Sequence, residues 1–232
     1  MEVEFKGVLD KIILVKLTTR QRPQQAARVL NAAKELAHNP SRIKYMVTLD
    51  ADDETYGETS KLISALDISC MFYAGGSRSK IHAINRDVDT FSKLEHWDIL
   101  VNLSDDQTCI MPGWDAIIRE AMPNDLDASL WFYDGAQPRI NTMEIVGKNY
   151  YNRTGTIYNK EYKSFYCDEE ATNVAQLLGK MIKSPTILFR HDHPACHHTT
   201  SLRHDNLYER NQSHWDEDKV TFQRRKGINY GL

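Results

Sequence analysis

The sequence predicts an α/β fold, a single domain over residues 1–232 in which a central, mostly parallel mixed sheet is flanked by helices. Three observations carry this. Short β-rich runs alternate with helical apolar stripes through the first half, the pattern of strands fed by crossover helices. The first run is almost continuously apolar, as strands buried on both faces are. Polar loops rich in Asp, Arg, Lys and Ser follow the runs, at the carboxyl ends where open α/β sheets bind ligands.

Taken in order, residues 12–17 (IILVKL) read as a buried strand. After Thr18-Thr19-Arg20-Gln21-Arg22, Pro23 suits a first helical turn, and Ala26, Ala27, Leu30, Ala33 and Ala37 form a helical stripe. Residues 43–49 (IKYMVTL) give a second strand ending in Asp50-Ala51-Asp52-Asp53, and Leu62, Ile63 and Leu66 mark a short helix capped by Thr59 or Ser60. Residues 68–73 form a third strand before the turn Gly75-Gly76, and residues 98–103 a fourth. In the less regular second half, residues 130–133, 142–146 and 185–189 read as strands. Residues 168–182 read as a helix with Val174, Leu177, Leu178 and Met181 on one face. From Arg190 onward the chain is polar and His-rich without core periodicity.

With 41% hydrophobic and 26% charged residues the chain can bury a sizeable core. A formal charge of −3 gives no whole-protein pull toward nucleic acid or anionic lipid and leaves room only for a local basic groove. Cys70, Cys109, Cys167 and Cys196 are widely spaced and form no CxxC pair, and the N-terminus lacks a signal-peptide pattern. These features point to a reduced, cytoplasmic protein. No apolar run approaches the roughly 20 residues that span a bilayer, so the sequons at 152–154 and 211–213 read as accidental.

Three constellations could carry chemistry. Asp105-Asp106 follows the fourth strand directly, and oxygen-rich sites of this kind suit Mg2+ or Mn2+ held by one or two carboxylates with substrate phosphates. A turn that simply favours Asp before Pro112-Gly113 is the competing account. In the segment from Arg190 to His198, His191 and His193 fall on one side of an extended stretch and could ligate a divalent metal. A structural zinc site with Cys196 and solvated loop histidines are the alternatives. Cys167-Asp168-Glu169-Glu170 opens a helix, where carboxylates stabilise the N-terminus or act as a general base. Basic residues cluster at 20–22, 78–80 and 224–226; the first two follow strands, on the face where phosphate binding needs them.

In this order the parts resemble a GT-A nucleotide-sugar glycosyltransferase, broadly of the family 2 type, across most of the chain. Ile12 to Pro23 resembles that family's first strand and nucleotide loop, and Val47 to Asp53 its second strand, whose terminal acid faces the base. Gly75 to Asn85 is similar to the segment near the diphosphate and ribose, and Leu103-Ser104-Asp105-Asp106 occupies the place of the DxD motif, with Ser104 in its first acidic slot.

The resemblance implies a nucleotide-sugar-binding half over about residues 1–107 and an acceptor-binding, catalytic half over about residues 108–232. It implies donor contacts from Thr18, Thr19, Arg20, Arg22, Asp50, Asp52, Ser77, Lys80, Asn85 and Asp105. Asp106 would bind Mn2+ or Mg2+ with His191 or His193, and Asp168 would be the base of an inverting transfer. Arg224, Arg225 and Lys226 would fold over the diphosphate. The donor would be a nucleotide sugar, a UDP-sugar before others. The acceptor would be a saccharide or a modified nucleic-acid base, and a viral source would place the protein in host cytoplasm; the aromatics of segments 131–135 and 150–158 could stack on a sugar, a base or an apolar aglycone, with core and strand packing the alternative for about half of them. Two other functions fit the same residues: a nucleotide-sugar-binding module without catalysis, and a metal-dependent phosphoesterase. Oligomeric state is left open.

Overall fold

The structure, a computed structural model, describes residues 10–193 and 206–232. Strand β1 (Ile13–Thr18) lies between β2 (Ile43–Asp50) and β4 (Ile99–Ser104), with β3 (Cys70–Gly75) outside β2, and these four pair in parallel. The second half extends the same sheet through β7 (Ile145–Gly147), β6 (Ser129–Phe132) and β8 (Met181–Ser184), giving the order β3-β2-β1-β4-β7-β6-β8. Only β7 runs against its neighbours on both sides. A separate antiparallel pair joins β5 (Gln107–Cys109) to β9 (Phe189–His191).

Side chains alternate across the strands, so β1 feeds two cores. Ile13, Val15 and Leu17 pack with helix α1 (Pro23–Glu35), whose buried stripe is Pro23, Ala26, Val29, Leu30 and Ala33. Leu14 joins the opposite core with Ile81, Ile84, Val88 and Phe91 of helix α3 (Lys80–Leu94). Lys16 shares the parity of Leu14 and is fully buried; its ammonium bonds Thr18 Oγ1. Burial pushes this lysine down to about 7, against the field of Asp87. The chain winds one way from β1 to β2 and the other way to β4. That reversal opens a crevice at the strands' carboxyl ends.

Register completes the placement. Thr18 lies opposite both Thr48 and Ser104, so three hydroxyl residues stand side by side at the sheet's edge. At the far side, Gly147 closes β7 against the Leu126 carbonyl, where an added Cβ would sit 2.2 Å from that oxygen. Any side chain there would displace backbone.

Several elements differ from the sequence expectation. Helix α2 (Tyr56–Ser64) begins after Thr55, so Thr59 and Ser60 lie inside it and neither caps it. Residues 80–94 carry the spacing Ile81, Ile84, Val88, Phe91 and form α3, capped by Ser79 accepting the His82 N–H at 3.1 Å. Helix α4 (Trp114–Ala121) follows Gly113. Strand 142–146 shortens to β7. After α5 (Lys148–Tyr151), helix α6 (Cys167–Leu177) stops before Gly179, which takes φ +65°. Met181 and Ile182 therefore belong to β8, and Leu177 is exposed. The strand expected at 185–189 becomes β9, displaced toward His191. The tail, expected to be irregular, forms helices α7 (Asn206–Gln212) and α8 (Trp215–Gly227). No helix among the described residues is long and apolar enough to cross a membrane.

Candidate active site

The carboxyl-end loops of β1, β2, β3 and β4 converge on a cleft of about 290 Å3. Its wall carries Thr18, Thr19, Arg20, Arg22, Asp50, Ser77, Lys80, Asp105, Asp106, Asp168, His191 and His193, twelve of the fourteen residues that sequence reasoning singled out. The two others stand apart. Asp52 is exposed beside the cleft and holds Arg20 through contacts of 2.6 and 3.1 Å. Asn85 is turned inward. Its carboxamide donates to the Tyr158 carbonyl and accepts from the Ile157 and Tyr158 N–H groups, so it anchors a loop rather than reaching the cleft.

At the β2 side, Arg20 bridges Asp50 at 2.8 Å to Asp52, and Ser77 Oγ donates to the other Asp50 oxygen. Asp53 is buried and fixes the loop after β1 by accepting the Gln21 N–H at 3.0 Å, where Gln21 takes the left-handed φ of 55°. The β1 loop is therefore tied to the β2 loop by carboxylates.

Asp105 and Asp106, adjacent in sequence, have different partners. Asp105 accepts Thr19 Oγ1 at 2.7 Å and Arg22 Nη1 at 2.9 Å, and both side chains of the Arg22 pair are at least nine-tenths buried. Asp106 accepts the Tyr208 hydroxyl at 3.2 Å on Oδ2, with His191 Nε2 3.7 Å away. Its Oδ1 is buried and has no hydrogen-bond partner among the described residues. Burial opposes ionisation of Asp106, but the fields of His191, Lys80 and His193 outweigh it and hold this carboxyl below the usual range. Burial, helped by the negative charge of Asp106, pushes Asp105 up against the pull of Arg22 and Thr19.

His191 has its Nδ1 3.0 Å from Asp134 Oδ2, which orients Nε2 toward Asp106. Burial disfavours the imidazolium, yet the two carboxylates raise it to about 9. Asp134 is in turn fixed by the Ala136 and Gln137 N–H groups and by Thr142 Oγ1, at 2.7–2.8 Å. His193 packs edge-on against His191 and Tyr208. Asp192, between them, faces away and accepts Thr108 Oγ1 and Arg190 Nε. Asp168 sits on the first turn of α6 in the cleft wall, and burial raises its carboxyl above the ordinary value.

Among the described residues, no three His, Cys, Asp or Glu side chains are gathered as a ready-made metal centre. The buried Asp106 Oδ1, without a hydrogen-bond partner among the described residues, and a carboxylate-oriented imidazole beside this carboxylate nevertheless fit Mn2+ or Mg2+, cations commonly held by one or two protein ligands while substrate phosphates and water complete the shell. Cys196, His197 and His198, the other members of the expected zinc alternative, lie outside the described residues.

Other expectations are corrected. Arg224 pairs with Glu161, Arg225 binds Glu170, Glu161 and the Tyr230 carbonyl, and Lys226 lies over the Phe222 ring, so Arg225 ties α8 to α6 and Arg224 ties α8 to the loop before α6, and none of the three lines the cleft. The aromatics Trp131, Phe132, Tyr151 and Tyr158 are buried in the cores. The aromatic cleft residues are instead Phe165 and Tyr208, and Tyr208 stacks under the Arg22 guanidinium at 4.3 Å. Helix α7 also adds Arg210, Asn211 and Gln212 to the wall, a contribution sequence reasoning missed because its polar sequence lacks a core stripe. Asp134 carried a readable signal: an acid followed by Gly at the end of a strand.

The architecture has close counterparts among solved structures. A mannosyltransferase, PcManGT from Pyrobaculum calidifontis in complex with GDP-Man and Mn2+, aligns with a TM-score of 0.65 at 12% identity over 83% of this chain and 64% of that one. TarS of S. aureus, residues 1–349 in complex with UDP-GlcNAc, aligns with a TM-score of 0.60 at 10% identity over 86% of this chain and 64% of that one. The fold is that of the GT-A-like glycosyltransferases. The chain spans less than two thirds of either neighbour and 36% of the longer TarS structure. No family model and no curated protein matches at the level of sequence. In this GT-A-like fold the cleft lies at the switch between β1 and β4, with the Asp105-Asp106 turn on its floor.

Proposed function

We propose that the protein is a metal-dependent glycosyltransferase that moves a sugar from a nucleotide-sugar donor to an acceptor hydroxyl with inversion, Asp168 serving as base. The observation that carries this reading is Asp106, a buried cleft carboxylate with one oxygen unpartnered among the described residues, beside the oriented imidazole of His191. The nucleotide sugars in the two structural neighbours, GDP-Man and UDP-GlcNAc, support the donor class.

In this reading residues 1–107 form the nucleotide-facing half and residues 108–232 the acceptor and catalytic half. Thr18, Thr19, Arg20, Asp50, Asp52 and Ser77 surround the nucleoside, with Arg20 prepositioned by the two carboxylates. Lys80 and Arg22 face the diphosphate, and Asp105 positions Arg22 and Thr19. Asp106 and His191 would hold Mn2+ or Mg2+, which when bound neutralises charge on the departing diphosphate. The Asp134 contact favours His191 over His193 as the imidazole ligand, since metal-binding histidines usually donate their second N–H to a carboxylate. Asp168 removes the acceptor proton; its raised affinity for protons suits a group that accepts one as the new bond to the sugar carbon forms.

The test is a thermal-shift and turnover screen of UDP-, GDP-, CMP- and TDP-sugars with and without Mn2+. A metal-dependent shift and donor turnover are expected with a UDP- or GDP-sugar. No response to any donor would overturn the reading.

A further inference from the structure

Beside Asp168 the chain builds an aromatic platform that the donor half does not use. Asp218 of α8 is fully buried and accepts the N–H groups of Lys163, Ser164 and Phe165 at 2.9, 2.8 and 2.8 Å. This fixes a loop whose last residue, Tyr166, takes the left-handed φ of 61°, a conformation rare for an aromatic residue. The consequence is a cluster: the rings of Phe165 and Tyr166 each lie 4.9 Å from Trp215, and Tyr166 also stacks on Phe222 at 5.3 Å. Phe165 lines the cleft together with Asp168 and His214, while Trp215 is 39% exposed.

Such exposure of an indole against a fixed aromatic wall, of which Phe165 lines the cleft, is unusual in this chain. Trp97 and Trp114 are fully buried and Trp131 is 6% exposed. The charge around the platform decides what it can accept. Glu169 and Asp216 are the charged groups whose fields act on the Tyr166 phenol. The nearby cation Lys163 is committed to Glu217 at 2.7 Å. A nucleic acid would bring a run of phosphates against these carboxylates with Lys226, over the Phe222 ring at 5.7 Å, as the remaining cation of the stack, whereas nucleic-acid binding depends on neutralising several phosphates at once. A neutral polyol has no such penalty: its C–H face packs on the rings and its hydroxyls donate to the carboxylates.

We infer that Phe165, Tyr166 and Trp215 form the acceptor subsite and that the acceptor is a neutral saccharide rather than a nucleic-acid base. The inference rests on the transferase reading and narrows its acceptor class.

Trp215 is the exposed tryptophan of four, so acrylamide quenching of tryptophan emission reads this surface directly. The probes are neutral malto-, cello- and chito-oligosaccharides and a single-stranded oligonucleotide. At least one oligosaccharide series is expected to shield Trp215 from acrylamide while the oligonucleotide does not. Trp215→Leu should abolish the shielding signal. By calorimetry, both Trp215→Leu and Phe165→Leu should weaken saccharide binding at least about fivefold, as truncation of a central aromatic contact does. Their stabilisation by a nucleotide sugar with Mn2+ should persist. Shielding by the oligonucleotide alone, or no shielding by any probe in protein that still responds to a donor, would overturn the saccharide platform. Saccharide shielding without any donor response would support the platform and overturn the transferase reading instead.

Discussion

Replacing Asp105 and Asp106 one at a time should separate a structural carboxylate from a functional one in a single turn of chain. Asp105→Ala removes a carboxylate partner of a guanidinium that is itself nine-tenths buried, together with the acceptor of Thr19. Breaking a buried pair this way costs about 3–5 kcal/mol, which in a domain of this size lowers Tm by about 6–20 °C. Asp106→Asn keeps an acceptor for Tyr208 and removes a charge whose Oδ1 has no hydrogen-bond partner among the described residues, so Tm should move by less than about 4 °C. Its loss should appear in function: the Mn2+-dependent part of the donor-induced thermal shift disappears and turnover falls by about 10²–10³, the range for removing one preorganised charge-stabilising group. The assay is differential scanning fluorimetry with and without Mn2+ and a nucleotide sugar, followed by turnover. An Asp106→Asn protein that keeps its metal-dependent shift, beside an Asp105→Ala protein of unchanged Tm that loses it, would refute the division of roles.

Further outcomes follow from the same geometry. Asp168→Asn should cut turnover by about 10²–10⁴ and remove the acidic limb of the pH–rate profile, which in the native protein lies above the usual aspartate range because burial raises this carboxyl. Glu144 is buried on Ser129 and Asn141 and pushed up to about 8 by burial, so the folded state keeps a proton that the unfolded chain releases near 4.5. Its contribution to stability is therefore lost as pH rises from 4.5 to about 8, and Glu144→Gln should flatten the fall in Tm across that window. Lys16 has the opposite sign. Its folded form releases the proton near 7 and its unfolded form near 10.5, so its contribution to stability rises with pH between those values. Lys16→Met should raise Tm more at pH 6 than at pH 10, read by calorimetry. Chelation with EDTA should abolish donor-induced stabilisation, and added Mn2+ should restore it.

How much of this was legible depended on the range of the interactions. The first four strands were readable to within two residues: β1, β2 and β4 because buried parallel strands are apolar throughout, and the edge strand β3, which buries no residue fully, because it repeats the same strand-then-polar-loop pattern. The second half was less so. Helix α6 was read too long because Met181 and Ile182 continue its apolar pattern, and only the left-handed turn at Gly179 with pairing to β6 assigns them to a strand. The tail helices were hidden for a different reason. Their contacts are specific, Tyr208 on Arg22 and Asp218 on three backbone N–H groups, and such contacts leave no periodic stripe.

The sequence by itself determined the alternation of strands and helices, and with it the edge where polar loops gather, because burial and backbone pairing fix periodicities that are local. It also set the candidate chemistry, since carboxylates, imidazoles and cations at strand ends are read directly. Tertiary structure decided which residue faces what. It turned Asn85 into a loop anchor and paired Arg224 and Arg225 with Glu161 and Glu170. It also gave Asp105 an arginine while leaving a buried oxygen of its neighbour Asp106 without a hydrogen-bond partner among the described residues. The physical reason is that a side chain's role depends on desolvation and on partners far away in sequence, and neither exists until the sheet and its loops have closed around it.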